Sequence, residues 1–277
     1  MTLPAYVKAS AAVHAAAGAA ALLVPSAWPW ALGAVAANHL VITGAGLCPR
    51  STWLGRNWSR LPDAAAARGE IAITIDDGPD PEVTPAVLDL LDSHAVRATF
   101  FAIASRASRH PALCREIVHR GHSVQNPSDR HSHAFSLLGP RGFARDIGAA
   151  QARLADLVGV PPRYFRAPAG LRNPFLAPAL DRLGLELVSW TRRGFDTVRR
   201  EPAGVLARLC NGLAGGDILL VHDGNAARTA SGQPVLLSVL PALLERAAAA
   251  GLRAVTLPEA LPAANEARPV AMATASP

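Results

Sequence analysis

Cysteine is scarce in this chain: there are three in 277 residues, Cys48, Cys114 and Cys210, far apart and never in CxxC spacing. That usage excludes a disulfide framework and a cysteine-built metal site. Aromatic residues make up only 5% and do not interleave with the positive charge. The formal net charge of +6 comes from arginine scattered without a basic run. Such a distribution excludes a nucleic-acid module and suits a solvated surface or anionic lipid headgroups.

Charge is missing altogether from one long stretch. Between Lys8 and Arg50 there is no Asp, Glu, Lys or Arg. The stretch divides at Pro25-Ser26-Ala27-Trp28-Pro29-Trp30 into two apolar halves, each near the short end of a membrane span, with tryptophans at the division as at a membrane interface. This predicts a helical membrane hairpin over residues 1–50, in a bacterial inner membrane. A cleaved signal peptide is a rival reading, because Lys8 and an Ala-rich segment fit its start, although the second half then needs another explanation. His14, Asn38 and His39 lower the hydrophobicity, so a pair of buried or interfacial helices is a third reading. By the positive-inside rule, Lys8 before the first half and Arg50, Arg56 and Arg60 after the second put both ends in the cytoplasm.

Residues 51–69, with Trp53, Trp58, Arg56 and Arg60, read as a basic juxtamembrane linker. From Glu70 onward short apolar runs alternate with helical patterns. The expected strands are Ile71–Ile75, Ala98–Ile103, Ser123–Asn126, Arg163–Arg166, Leu185–Trp190, Asp217–His222 and Arg253–Leu257. Thr84-Pro85, Asn173-Pro174 and Gln233-Pro234 stand where helices should start, a polar residue followed by proline. Strand-helix alternation over residues 70–262 implies a parallel sheet, and about seven such units imply an α/β fold, a distorted (β/α)7-type barrel behind the hairpin. Residues 263–277, rich in Ala, Pro and Ser, are expected to be a disordered tail.

In a barrel of parallel strands, chemistry gathers at the strands' C-terminal ends. The first strand ends in Thr74-Ile75-Asp76-Asp77-Gly78-Pro79, two adjacent carboxylates whose repulsion is tolerable only if a cation or a shared proton offsets one of them. Asn126-Pro127-Ser128-Asp129-Arg130-His131-Ser132-His133 follows the third strand. The fourth ends in Arg166-Ala167-Pro168-Ala169-Gly170, the fifth in Ser189-Trp190 with Asp196 beyond, and the sixth in Leu220-Val221-His222. Each residue alone is ordinary, but their joint occurrence on one rim is not.

These motifs resemble the polysaccharide deacetylase family with NodB homology, carbohydrate esterase family 4, over roughly Glu70 to Ala260. The resemblance implies that Asp76 is the general base, Asp77 a metal ligand, His222 the general acid and Arg166 the residue that orients Asp76. It places Asp196 and Trp190 in the family's loosest motif, with Pro168 and Trp190 toward the substrate. The family's second motif, Asn-His-Ser/Thr-x-x-His, supplies two metal-binding histidines. Here His131 is the second, while Pro127 replaces the first and offers no lone pair. His133 is a possible substitute, although residues two apart in an extended segment point to opposite faces. The implied cofactor is Zn2+ or another divalent first-row metal. The expected function is removal of an N-acetyl or similar acyl group from an amino sugar, with an N-acetylated glycan or a lipid-linked sugar and the membrane as partners. The alternative is a catalytically impaired glycan-binding or scaffolding relative, which Pro127 supports.

Overall fold

A computed structural model describes residues 3–261; the expected tail at 263–277 lies outside them. The uncharged stretch forms two helices, α1 (Ala5–Leu23) and α2 (Trp28–Leu47), joined by a 3-10 turn at Pro25–Ala27 where two prolines and the tryptophans interrupt the helical run. Almost every side chain of the pair faces outward. Leu22, Leu23, Trp28, Trp30, Leu32 and Leu40 are all exposed, whereas Ser10, Ala17, Asn38, Ala45 and Gly46 are buried.

The rest follows in strand-helix order: α3 (Asp63–Ala67), β1 (Glu70–Asp76), α4 (Thr84–Ser93), β2 (Thr99–Phe101), α5 (Ala104–Arg109), α6 (Pro111–His119), β3 (Ser123–Gln125) and α7 (Pro140–Val158). Next come β4 (Tyr164–Phe165), α8 (Leu176–Leu183), β5 (Glu186–Leu187), β6 (Arg192–Arg193), α9 (Pro202–Cys210), β7 (Ile218–His222), α10 (Val235–Ala249), β8 (Arg253–Ala254) and α11 (Leu257–Ala260). Proline at the first or second helical position starts α4, α6, α7 and α9, where a missing amide proton costs nothing.

All strand pairs are parallel, in the order β3-β2-β1-β7-β6, with β8 beside the first residues of β1 and β4 paired to β5. A single bridge between Asn126 and Phe165 joins the end of β3 to β4, and the chain runs from β5 straight into β6, so the wall curls round into the distorted barrel. Trp58 bridges Val188 beside β5, so the segment after the hairpin takes part in the wall and is more than a linker.

Alternation along the strands decides what each side buries. Ile71, Ile73, Ile75, Leu219 and Val221 face outward into the main core with Val87, Leu88, Leu236 and Leu240 of the helices. Ala72, Ile218 and Leu220 face inward with Phe101, Tyr164 and Val188. Thr74 and Asp76 follow Ala72 on that inward side, so the barrel's lining turns polar toward its C-terminal rim.

Candidate active site

Asp76 ends β1 and its register partner on β7 is His222, the last residue of that strand. Neighbouring strands stand about 4.8 Å apart, so two ionisable side chains at matched positions on the same face share one small volume. Arg166 enters this volume from the end of β4 and is 2% exposed. Its Nη1 donates to Asp76 Oδ1 and to Thr74 Oγ1, each at 2.7 Å; Nη2 donates to the Ser189 carbonyl at 2.8 Å and Nε to that of Val188 at 3.3 Å. The guanidinium lies 4.1 Å from the centre of the Phe101 ring. A charge this deep is tolerable because each of its three nitrogens donates, one of them to a carboxylate.

On the other flank Asp196 holds His222 twice. Its Oδ2 accepts the His222 backbone N–H at 2.7 Å, and its Oδ1 accepts from Nδ1 at 2.9 Å. A carboxylate partner fixes the Nδ1–H tautomer, which leaves Nε2 as the atom that takes or gives a proton. Burial alone would lower the His222 pKa, but the Asp196 hydrogen bond and charge, with Asp76 and Asp77, hold it above the ordinary histidine value. Burial raises the Asp76 carboxyl, Arg166 and His222 pull against it, and the Asp77 charge adds to the rise. Arg166 is lowered by burial against the pull of Asp76.

Asp77 turns away from the strand at φ 72°. His131 Nε2 lies 3.3 Å from its Oδ1, Asn225 Nδ2 donates to its Oδ2 at 3.0 Å, and Arg106 Nη1 donates to its carbonyl at 2.8 Å. Gly78 follows because nothing larger fits: an added Cβ would meet Asp223 Oδ2 at 2.3 Å. Asp223 is fully enclosed and accepts from Thr84 Oγ1 at 2.5 Å and from Gly224 N at 2.9 Å; burial, against those hydrogen bonds, pushes its carboxyl up to about 7.

The structure therefore brings Asp76, Asp77, Arg166, His222, Asp196 and His131 together. Pro168 is buried at the same rim, and Trp190 lies 5.9 Å from the Arg166 guanidinium. His133 is exposed, and none of the contacts described at Asp77 comes from it. His122 is a structural residue: its Nδ1 accepts the Ala98 N–H at 3.2 Å, and burial lowers it to about 4. Asn225 and Arg106 escaped the sequence reading, while Thr84 stood there only as a helix start and Asp223 only as a neighbour of His222. The one available signal was that Asp223-Gly224-Asn225 directly follows His222.

A family model for polysaccharide deacetylase matches residues 63–188. A peptidoglycan-N-acetylglucosamine deacetylase of Bacillus cereus is 33% identical over 193 residues, which cover 69% of this chain and 87% of that protein. The chain belongs to the polysaccharide deacetylase family. A chitooligosaccharide deacetylase of Azorhizobium caulinodans is 32% identical over 158 residues, 57% of this chain and 75% of that one. Among solved structures, a family 4 carbohydrate esterase from Streptomyces lividans in complex with acetate is 28% identical at TM-score 0.61, covering 67% of this chain and 91% of that one. A CE4 family pseudoenzyme from Bacillus anthracis, 20% identical, shares the fold at TM-score 0.67 over 75% and 69% of the two chains. The polysaccharide deacetylases are hydrolases, and they generally depend on a divalent metal.

Against that dependence the donor set here is short. Asp77 Oδ1 is a buried oxygen without a hydrogen-bond partner among the described residues, beside the His131 ring nitrogen. These two donors suit a metal ion, but among the described residues no third His, Cys, Asp or Glu completes a cluster. Catalytic zinc sites generally keep three protein ligands. The residues present do not make up such a site, and the buried Pro127 occupies the position where the resemblance expects the missing imidazole.

Proposed function

We propose that this chain is an amide hydrolase that deacetylates an N-acetylated amino sugar, polymeric or lipid-linked. The observation that carries the reading is the matched register of Asp76 and His222, each braced by its own buried partner, Arg166 and Asp196. An amide resists hydrolysis because its carbonyl is a poor electrophile and its amine a poor leaving group. Asp76, its basicity raised by burial, takes a proton from the water that attacks the acetyl carbonyl carbon. His222 Nε2 delivers a proton to the nitrogen as the carbon–nitrogen bond breaks, which yields free amine and acetate. Asp196 keeps that ring charged and aimed until the proton is needed, and Arg166 holds Asp76 ionised and still. Trp190 and Pro168 line the approach for the sugar.

The hairpin supports a membrane setting. Two helices of 19 and 20 residues, with large apolar side chains facing outward, suit a bilayer better than water. The proposal places the catalytic unit at the surface of a bacterial inner membrane. A second reading, a glycan-binding relative that does not turn over, rests on the two-donor metal site beside Pro127.

Acetate release from N-acetylglucosamine oligomers by the purified full chain, with divalent metal supplied, tests the proposal. Expected are measurable turnover and a loss of at least about 100-fold in Asp76→Asn and in His222→Ala, the scale of general acid–base contributions. Oligomers that bind without releasing acetate would leave the second reading standing.

A further inference from the structure

The hairpin carries chemistry that the catalytic rim does not use. Polar side chains meet in a row along the seam between α1 and α2. Tyr6 Oη donates to Asn38 Oδ1 at 3.3 Å, and Asn38 Nδ2 donates to Ser10 Oγ at 2.8 Å. These contacts satisfy each other and hold two apolar helices together. One turn beyond Ser10, His14 Nε2 stands 3.2 Å from His39 Nε2, and both rings are exposed on the hairpin surface.

The pair is set up in a specific way. His14 Nδ1 lies 2.8 Å from the Ser10 carbonyl oxygen, which can only accept. In the neutral ring the proton therefore sits on Nδ1, and Nε2 presents its lone pair to His39. Metal-ligating histidines are held by the same device, a backbone carbonyl behind the far ring nitrogen. The distances agree. An ion bonded to two imidazole nitrogens at about 2.0–2.1 Å, near the tetrahedral angle, holds those nitrogens about 3.3 Å apart and the ring centres about 5.2 Å apart. The observed separations are 3.2 Å and 5.1 Å, with the rings at 85°. A straight hydrogen bond of the same length would spread the ring centres to about 5.5 Å.

We propose that His14 and His39 chelate a divalent first-row metal ion of the kind that favours imidazole, such as Zn2+, Ni2+ or Cu2+. The site is separate from Asp77 and His131, lies mid-way along the hairpin, and pins α1 to α2. Two imidazoles leave coordination positions open. Water is excluded from the hydrocarbon core, so the same pair on a second copy fills them: one surface patch facing itself across a two-fold axis brings four imidazoles to one point.

The test uses the tag-free full chain in detergent micelles, stripped with a chelator and titrated with Zn2+, with bound metal counted by mass spectrometry and particle size followed by light scattering. Expected is an ion that His14→Ala and His39→Ala each lose and that His131→Ala keeps. An ion held at about one per chain by a monomer would overturn the shared site. A second copy completes it if the ratio is about half an ion per chain in a Zn2+-dependent dimer. His14→Gln, which removes the imidazole from a helix that tolerates Gln, guards against misfolding and should lose the ion with helical circular dichroism unchanged. If the His14 and His39 variants bind Zn2+ with the stoichiometry and affinity of the unaltered chain, the proposal is overturned.

Discussion

Arg166 concentrates the electrostatics of the rim in one residue. It is a buried guanidinium whose only charged hydrogen-bond partner among the described residues is Asp76, and removing one member of such a pair strands the other, at a cost of about 3–5 kcal/mol. Arg166→Met should therefore lower the free energy of unfolding by that amount and push the Asp76 carboxyl further up. Arg166→Lys keeps the charge but cannot reach Asp76, Thr74 and the Ser189 carbonyl together, and should recover only part of the loss. Equilibrium urea unfolding of both variants checks this, and a Met variant as stable as the parent would refute it. Pro127 carries the opposite case, a partner that is missing. Among the described residues Asp77 Oδ1 has no hydrogen-bond partner and has the His131 ring beside it, so an imidazole at position 127 should convert two donors into three. Loss of outer-shell support alone costs about 10–100-fold in metal affinity, so gaining an inner ligand should raise affinity at least as much. Metal counted per chain, together with acetate release, should rise in Pro127→His. Unchanged values would mean that the second motif is aligned wrongly. Asp76, Asp77, Arg166 and His222 were legible as motif letters because each stands at a strand end. Arg106 and Asn225 were not, because they reach Asp77 from loops and helices that no local pattern ties to it.

At the scale of elements, the site depends on the turn after β1 being clamped to the loop after β7. Thr84, the first residue of α4, donates to Asp223, and Asp223 fills the space that a side chain at Gly78 would need. The clamp should be sensitive to pH. The Asp223 value of about 7 lies above its unfolded value of about 3.9, so the folded state binds that proton more tightly. Its stabilisation is complete below about pH 4 and is lost as pH rises through about 7. His222, also raised, contributes with the same sign. His122 opposes them: held at about 4, it favours the fold above its ordinary value of 6.5 and loses that contribution as pH falls toward 4. Above about pH 6.5 His122 no longer titrates, so from there to about pH 8.5 the melting temperature should fall, and Asp223→Asn should flatten the fall to what the other raised groups, His222, Asp76 and Asp146, supply. A rising melting temperature in that window, or an unchanged slope in the variant, would contradict the clamp. The long strands β1 and β7 were readable because their apolar runs are continuous and fully buried. The strand β6 was not, since its two residues are both arginine and only the β7 backbone makes them a strand. Asn173-Pro174 did mark a helix start, but early: Asn173 Oδ1 first accepts the Phe175 N–H, and α8 begins at Leu176.

For the whole molecule the question is how far the hairpin and the barrel depend on each other. None of the buried residues in the three hydrophobic cores precedes Leu61, so those cores draw no member from residues 1–50. The base of the hairpin nevertheless touches the rim. Arg172 N donates to the Gly46 carbonyl at 3.2 Å, Arg50 Nη1 donates to the Thr191 carbonyl at 3.4 Å, and a Cβ at Gly170 would lie 2.7 Å from Pro49 and 2.8 Å from Trp190. Arg172 is buried there with Nη2 on the Ser51 carbonyl, while its Nε and Nη1 have no hydrogen-bond partner among the described residues. Removing residues 1–50 forfeits the Arg172–Gly46 backbone hydrogen bond, the side-chain bonds of Arg50 to Thr191 and of Asn57 to Pro49, and some packing, about 2–3 kcal/mol, and at about 2–4 °C per kcal/mol for a chain of this size the melting point should drop by about 4–12 °C. A chain beginning at Ser51 should thus fold, stay soluble and melt lower by that amount, while the full chain sediments with membranes. The loss of Pro49 uncovers one side of Trp190, so the Michaelis constant for N-acetylglucosamine oligomers should rise more than the turnover number falls, because the base, the acid and their braces all lie beyond Ser51. A full chain found in the soluble fraction would remove the membrane reading, and a truncated chain that cannot fold would make hairpin and barrel a single cooperative unit.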